Sequence, residues 1–392
     1  MKIAGIIAEY NPFHNGHLYQ IEKTRLTGAT HIVAVISPDF VQRGDIACFD
    51  KYSRAEVALE NGADLVVELP VQFALASANI FAKKGVEILS QLGVSMISFG
   101  SESGDIDKLK NIANMCDSIK NNSFFQQELK KGVSYPKAQT NTIAKLYSQA
   151  DADILTSPNN LLATEYIRAI NEICPEVVPI TIPRIDSTHD THMRSNSVSS
   201  ATYLRDNLNR KTLKKYVPKS AYNIFSHQLL LNKTPSNKNT LDLIILYKLR
   251  TMTKTDLILL PDVSEGLENR IYEAIKSART LDEFYSLVKT KRYTLSRIRR
   301  IAFCALIGIK KCHLQQDVQY VRVLAANKKG LEILKEAKNT ATVPILSKFS
   351  TIAKIKNSNA YLTVKASDIF SLALKSPQKC SLDYTHKCTI KK

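Results

Sequence analysis

Two histidines three residues apart, His14 and His17, stand around Gly16 in the stretch EYNPFHNGHLYQ (Glu9–Gln20), directly after the first apolar run of the chain. Histidine, asparagine and glycine add little to a core, so packing alone does not call for this cluster. A helix that begins here presents free N–H groups and a partial positive charge, which together make an anion site. Gly16 permits close backbone approach, and His17 in the first helical turn faces the same anion as His14. Two imidazoles over a helix start suit a polyphosphate whose negative charge grows as pyrophosphate departs. The plainer alternative is a pair of turn histidines satisfied by local hydrogen bonds.

Two further stretches carry charge in patterns that could do chemistry. QRGDIACFDKYSRAE holds Arg43, Asp50, Lys51, Arg54 and Glu56. Its basic residues either meet a phosphate, a small carboxylate or RNA, or form a solvated helical turn with local ion pairs. KTKRYTLSRIRR (Lys289–Arg300) groups Lys291, Arg292, Arg297, Arg299 and Arg300 around Tyr293, with no acid among them. Ile298 and Ile301 give this run an apolar edge, so it predicts a helix with a basic outer face. Such a face neutralises phosphates, and a tyrosine beside it can stack on a splayed base.

The elements that must position these residues follow from the apolar pattern. Continuous β-branched runs predict buried strands at Lys2–Ala8, His31–Ser37, Asp64–Leu69, Ser95–Phe99 and Val177–Ile182. Helical periodicity falls between them, at Gly16–Arg25, Ser53–Asn61, Asn79–Leu92, Asn160–Ile173 and Ser199–Asn207. Apolar strands alternating with helices predict an α/β fold, a Rossmann-like doubly wound parallel sheet, over residues 1–210. The polar span Asp107–Ala150 reads as an insertion. A linker is expected over 211–240, then a mainly helical region over 241–392 that ends in a small α/β tail.

Composition bounds the class. The 392 residues carry 54 Lys and Arg against 36 Asp and Glu, a net charge of +18, which favours a polyanionic partner and nucleic acid before membrane. No run approaches the roughly 20 apolar residues of a membrane span, and MKIAGIIAEY lacks the pattern of a signal peptide. The seven cysteines are scattered without a CxxC pair, so neither a disulfide framework nor a structural zinc site is expected. His386 and Cys388 read as parts of a frayed tail. A cytoplasmic protein is the expectation.

HNGH (His14, Asn15, Gly16 and His17) is similar to the HxGH signature of nucleotidyltransferases and class I aminoacyl-tRNA synthetases. SATYLR (Ser200–Arg205) is similar to the second signature of that superfamily, with Ala201 in place of one hydroxyl residue. The wider context resembles one family, the bacterial tRNA(Met) cytidine acetate ligases. It comprises FVQRGDIACFDKYSRAEVALENGADLVVELP (Phe40–Pro70), FGSE (Phe99–Glu102), SPNNLLATEYIRAI (Ser157–Ile170), PRI (Pro183–Ile185), EGLENRI (Glu265–Ile271) and KRYTLSRIRRI (Lys291–Ile301). The family's usual Gly-Asn before FVQRG is Pro38-Asp39 here.

The resemblance implies that ATP and acetate give acetyl-adenylate and pyrophosphate, and that the acetyl group then passes to the wobble cytidine of elongator tRNA(Met). It implies ATP, with Mg2+, as cofactor, acetate and tRNA as partners, and no membrane. His14, His17 and Arg205 would be catalytic, Arg205 clamping the β and γ phosphates. ATP contacts would run through Ile7, Ala8, Glu9, Tyr10, Asn11, Pro12 and Phe13 into the HNGH cluster, and on through Leu18, Tyr19 and Gln20. Gly100, one of Asn159 and Asn160, and Arg184 would complete them. Lys291, Arg292, Arg297, Arg299 and Arg300 would hold tRNA. Two other functions compete: an adenylyltransferase acting on a small phosphorylated acceptor, and a non-catalytic RNA-binding protein that keeps an ATP fold. The basic helical half argues against the first, and intact His14, His17 and Arg205 argue against the second.

Overall fold

A computed structural model describes residues 1–184, 199–235, 239–264, 266–356 and 358–391. Ile185 and Glu265 of the motifs quoted above lie outside the described residues. The strands are β1 (Ile3–Ala8), β2 (His31–Ile36), β3 (Phe40–Val41), β4 (Asp45–Ile46), β5 (Leu65–Glu68), β6 (Met96–Ser101), β7 (Val178–Pro183), β8 (Val321–Ala326), β9 (Ile345–Leu346) and β10 (Thr389–Ile390). The main sheet runs β10-β8-β5-β2-β1-β6-β7, with β9 beside β8. β5, β2, β1, β6 and β7 are parallel, as the alternating pattern predicts. The central strands are apolar on both faces because helices cover both; β2 is buried from end to end, whereas β7 at the edge is only partly covered.

The expected α/β tail is part of this sheet. β8 pairs antiparallel with β5, and β9 and β10 pair parallel with β8, so residues 321–390 extend the doubly wound core. His386 and Cys388 accordingly lie in an ordered segment: the His386 ring stacks on Tyr52 at 3.7 Å between centroids. The span read as a linker is also packed. Helices Arg210–Tyr216 and Lys219–Leu230 lie within it, and Phe225 stacks on Phe49 at 4.1 Å. The insertion forms helices Ile106–Ser118, Ser123–Lys130 and Tyr135–Leu146. In the helical region, Leu241–Ile309 and the Ala360–Ala373 helix share one core with Phe40, Ile46, Val71 and Leu75 of the first half. No helix among the described residues is long and apolar enough to cross a membrane.

What fixes the late strands to the early ones is a buried network of charges. Lys51, at the start of the Lys51–Glu60 helix, contacts Glu68 at 2.7 Å and Asp383 at 2.6 Å. Arg322 on β8 contacts Glu68 at 2.9 Å and also pairs with Asp383. The Tyr52 hydroxyl donates to Asp383 at 3.0 Å and accepts from Arg322 at 2.8 Å. Two cations and two carboxylates leave the cluster formally neutral. Burial alone would lower the Lys51 pKa, but Asp383 and Glu68 more than offset it and hold the ammonium charged. Burial would likewise raise that of Asp383, and Lys51 and Arg322 instead keep it well below the carboxylate range.

Removing one member of such a cluster strands the others without water. Asp383→Ala is therefore expected to cost about 3–5 kcal/mol in urea unfolding. Lys83→Ala, which breaks the exposed 2.5 Å pair with Glu172, is the comparison and should cost less than about 1 kcal/mol. Equal costs for the two would mean that the buried cluster does not hold the sheet.

Candidate active site

The turn after β1 is built from rings. Tyr10 adopts φ 47°, a left-handed conformation that costs a bulky residue about 1–3 kcal/mol, and the Asn11–Pro12 peptide is cis. Burial holds the turn: Tyr10 and Phe13 are fully covered and meet edge to face at 4.8 Å. His14 then caps the Asn15–Leu26 helix. Its Nδ1 accepts from the Gly16 N–H at 3.1 Å, and Nδ1 of His17 accepts from the His14 N–H at 3.2 Å. A ring nitrogen that accepts carries no proton, which assigns the proton of both neutral imidazoles to Nε2. The rings stack at 3.8 Å, and a Cβ on Gly16 would sit a tight 3.0 Å from the His14 ring, which would have to shift to accept a larger residue there.

Electrostatics keep both rings neutral. Burial, reinforced by Arg184 and Arg205, pushes the His14 pKa down to about 3. His17 is also lowered, by burial first, then by His14 and Arg184. Each ring can therefore offer an Nε2–H donor to a phosphate without carrying a charge of its own.

Arg205 comes from the Ala201–Asp206 helix, whose cap is Ser200: its Oγ accepts from the Tyr203 N–H at 3.2 Å. The half-buried guanidinium reaches back to the histidine turn and donates to the Asn11 carbonyl at 2.9 Å and to Thr202 Oγ1 at 3.0 Å. Arg184 follows β7, exposed, with its stem 3.5 Å from where a Cβ on Gly100 would lie. Asn160 is buried and accepts from the Ser103 N–H at 2.9 Å, whereas Asn159 faces the cavity while bonded to Glu102 at 2.6 Å. The cavity measures about 1280 Å³. Of residues 7–20, it is lined by Ile7, Ala8, Glu9, Tyr10, Asn11, His14, His17 and Gln20, and Pro12, Phe13, Asn15, Gly16, Leu18 and Tyr19 are not among its lining residues.

The Arg43–Arg54 stretch divides. Lys51 is consumed by the buried charge cluster. Arg54 is fully buried and donates to four carbonyls: Phe49 at 2.9 Å, Glu9 at 2.7 Å, Ser37 at 2.8 Å, and Pro38. It thereby ties the carboxyl ends of β1 and β2 together behind the histidines. Asp39 is buried too and accepts from the Lys51 N–H at 3.0 Å and from the Ser367 hydroxyl at 2.6 Å. Arg43 alone among these cations reaches the cavity.

The basic run differs most from expectation. It forms the Leu295–Ile307 helix and the turn before it, and its arginines face the cavity. Arg292, Arg297, Arg299 and Arg300 line it, while Lys291 is exposed elsewhere. Arg300 is buried and paired with Asp262 at 2.8 Å. Arg297 donates to the Asp262 carbonyl at 2.6 and 2.9 Å and lies over Tyr293, which is itself buried and closed to a stacking base. The opposite wall, which the sequence does not mark, includes Lys120 and Tyr135 of the insertion. Among the described residues no group of three His, Cys, Asp or Glu side chains could hold a metal ion.

The HIGH Nucleotidyl Transferase family matches residues 1–384 of the chain. The chain is 35% identical to a protein of Acetivibrio thermocellus named tRNA(Met) cytidine acetate ligase, with both chains covered in full. It is 36% identical to the protein of that name from Bacillus subtilis, covering 98% of this chain and 95% of the other. The fold matches the crystal structure of Thermotoga maritima TmcAL bound with alpha-thio ATP at a TM-score of 0.91, with 30% identity and full coverage of both chains.

The depressed His14 pKa carries a sign. Unfolded, the ring takes up a proton near pH 6.5; folded, it does so only near 3. Stability is thus fully present above pH 6.5 and falls as pH drops through the interval, by about 1.4 kcal/mol per pH unit. His14→Gln is expected to flatten the decline of the urea midpoint between pH 6.5 and 5, measured without nucleotide. An unchanged decline would show that the folded ring protonates freely.

Proposed function

The chain belongs to the HIGH nucleotidyl transferase family and, within it, to the tRNA(Met) cytidine acetate ligases; from that premise we propose a two-step reaction at this cavity. Acetate attacks the α-phosphorus of ATP to give acetyl-adenylate and pyrophosphate. The exocyclic amine of the wobble cytidine of elongator tRNA(Met) then takes the acetyl group, giving N4-acetylcytidine.

The single observation that carries this reading is the composition of one cavity. Its floor offers two neutral Nε2–H donors beside Arg184 and Arg205, and one of its walls is arginine. Donors fixed before the reaction stabilise the charge that grows on the departing pyrophosphate without reorganising. His14 and His17 are held by the helix start and Arg205 by the turn it braces, so all three are set in place by the fold. A volume of about 1280 Å³ exceeds the roughly 300–1,000 Å³ of ordinary ligand pockets and leaves room for a splayed nucleotide beside ATP. Mg2+ enters the proposal only as a counter-ion of ATP. With no ligand cluster among the described residues, phosphates and water would carry it rather than a protein cage.

Acetate-dependent ATP–pyrophosphate exchange tests the first step. His17→Ala is expected to lower it about a hundredfold or more, since it deletes one donor to the transition state. Arg205→Lys should fail as well, because an ammonium cannot replace a planar fork. Near-normal exchange in a folded His17→Ala protein would remove the histidines from the chemistry. Product formed from acetyl-CoA without ATP would overturn the reaction itself.

For the second step, Arg299 and Arg300 are expected to separate. Arg299→Gln should weaken tRNA binding and flatten the plot of log affinity against log salt by about 0.7–0.9 for each phosphate it no longer neutralises. Arg300→Gln should instead lower the urea midpoint, because it strands Asp262. A salt slope that Arg299→Gln leaves unchanged would place the RNA elsewhere.

A further inference from the structure

Three carboxylates line the cavity: Glu9, Glu165 and Asp262. Glu165 is bonded to Arg168 at 2.7 Å, and Asp262 to Arg300 at 2.8 Å. Both are committed to cations. Glu9 is held differently. Its Oε1 accepts the Gln42 N–H at 3.0 Å, and among the described residues no cation lies within ion-pair distance of it. Its backbone is rigid, because the Glu9 carbonyl accepts from Arg54 at 2.7 Å and the Ala8 carbonyl from the Ser37 N–H at 3.1 Å.

Position gives this carboxylate its interest. Glu9 belongs to the same turn as His14 and His17, so it borders the floor where an adenylate would form. Through Gln42 it also touches the β3–β4 hairpin, on which the arginine helix rests. A Cβ on Gly44 of that hairpin would lie 2.6 Å from Arg299 Cβ and from the Arg300 nitrogen. Glu9 therefore stands at the seam between the nucleotide floor and the arginine wall. An acyl group over the histidines and a base arriving along the wall would meet at that seam.

The second step has an unmet chemical need there. The lone pair of a cytidine amine is drawn into the ring, so the amine is a weak nucleophile, and it becomes strongly acidic only once it has attacked. We propose that Glu9 is the proton acceptor of the acyl transfer, a role that rests on the two-step reading above. The N4 lone pair forms the C–N bond to the acetyl carbon. The C–O bond to the phosphate of AMP then breaks, AMP leaves with that electron pair, and the N4 proton passes to the Glu9 carboxylate. The cavity is open, so Glu9 returns the proton to water after release of AMP.

The groups around Glu9 suit it to this work. Burial raises its pKa above the ordinary glutamate value, against the opposing pull of Arg43, Arg205 and Arg54 and the bond from Gln42. Tyr166, from the Pro158–Ile173 helix, faces it as well. A base whose pKa moves toward the working pH accepts a proton more readily than an ordinary surface carboxylate.

Glu9→Gln keeps the length of the side chain and an oxygen for the Gln42 N–H. Two rates are measured on each protein: acetate-dependent ATP–pyrophosphate exchange, and single-turnover transfer of labelled acetate to tRNA. The ratio of transfer to exchange is expected to fall at least a hundredfold in Glu9→Gln and to recover in part in Glu9→Asp, which restores a carboxylate. In the wild type this ratio should rise with pH along a limb centred above the ordinary glutamate value, and the limb should vanish in Glu9→Gln. Histidine titration cancels from the ratio because both steps need the same adenylate site. An unchanged ratio, a limb that persists, or an Asp variant no better than Gln would each overturn the proposal. Equal loss of both rates would do so too, because it would place Glu9 in adenylate formation or in support of an ATP-bound metal. Absence of acetate-dependent exchange in the wild type would sink the two-step reading instead.

Discussion

The architecture depends on four charges sealed away from water: Lys51, Glu68, Arg322 and Asp383. A buried ion pair gains little over apolar packing, yet losing one partner is severe, so the cluster is complete or costly. Its completeness fixes the first turn of the Lys51–Glu60 helix. One turn further on, Arg54 leaves that helix and takes the carbonyls of Glu9, Ser37 and Pro38. Those carbonyls belong to the turns that end β1 and β2, and the first of these turns carries the histidines. The position of His14 is thus set by a line of contacts that begins at β8, far from any nucleotide.

The site itself follows one electrostatic rule. Uncharged donors sit on the floor, and several of the cations around them are tethered by carbonyls or carboxylates. Arg205 is braced on Asn11, Arg297 on Asp262, and Arg300 on the Asp262 side chain. A guanidinium already fixed loses little freedom when it meets a phosphate, so its full attraction is available to the ligand. Burial, helped by the same positive field, holds the imidazoles neutral, which preserves their role as donors when no phosphate is bound.

The sheet was legible because parallel strands buried on both faces are continuous apolar runs; β1, β2 and β5 all read that way, and the edge strand β7 kept the β-branched run although only part of it is covered. HNGH was legible because its residue types serve no core. Lys51, Arg54 and Arg300 were not. Locally each reads as a charge on an amphipathic helix, and its partner is remote: Glu9 lies 45 residues from Arg54, and Asp262 lies 38 from Arg300. Their burial is a property of the assembled fold that no local pattern contains. β8 is equally apolar in sequence, but its antiparallel place beside β5 depends on Arg322 meeting Glu68, a pairing across 254 residues. The inward turn of the arginine helix follows from the same cause, since Asp262 rather than solvent receives two of its guanidinium groups.

That long pairing has a consequence for biosynthesis. A ribosome delivers β1, β2 and β5 early, and for more than two hundred further residues the open side of β5 has no neighbour. Through that interval the nascent sheet exposes a hydrogen-bonding edge, and the Lys51–Glu68 pair beside it lacks its other two charges, Arg322 and Asp383. The contacts that brace the nucleotide site from β8 can therefore form only after that strand has been made. A shortened polypeptide ending before β8 would keep every residue of the HNGH and SATYLR motifs and lack the two charges, Arg322 and Asp383, that complete the cluster behind them.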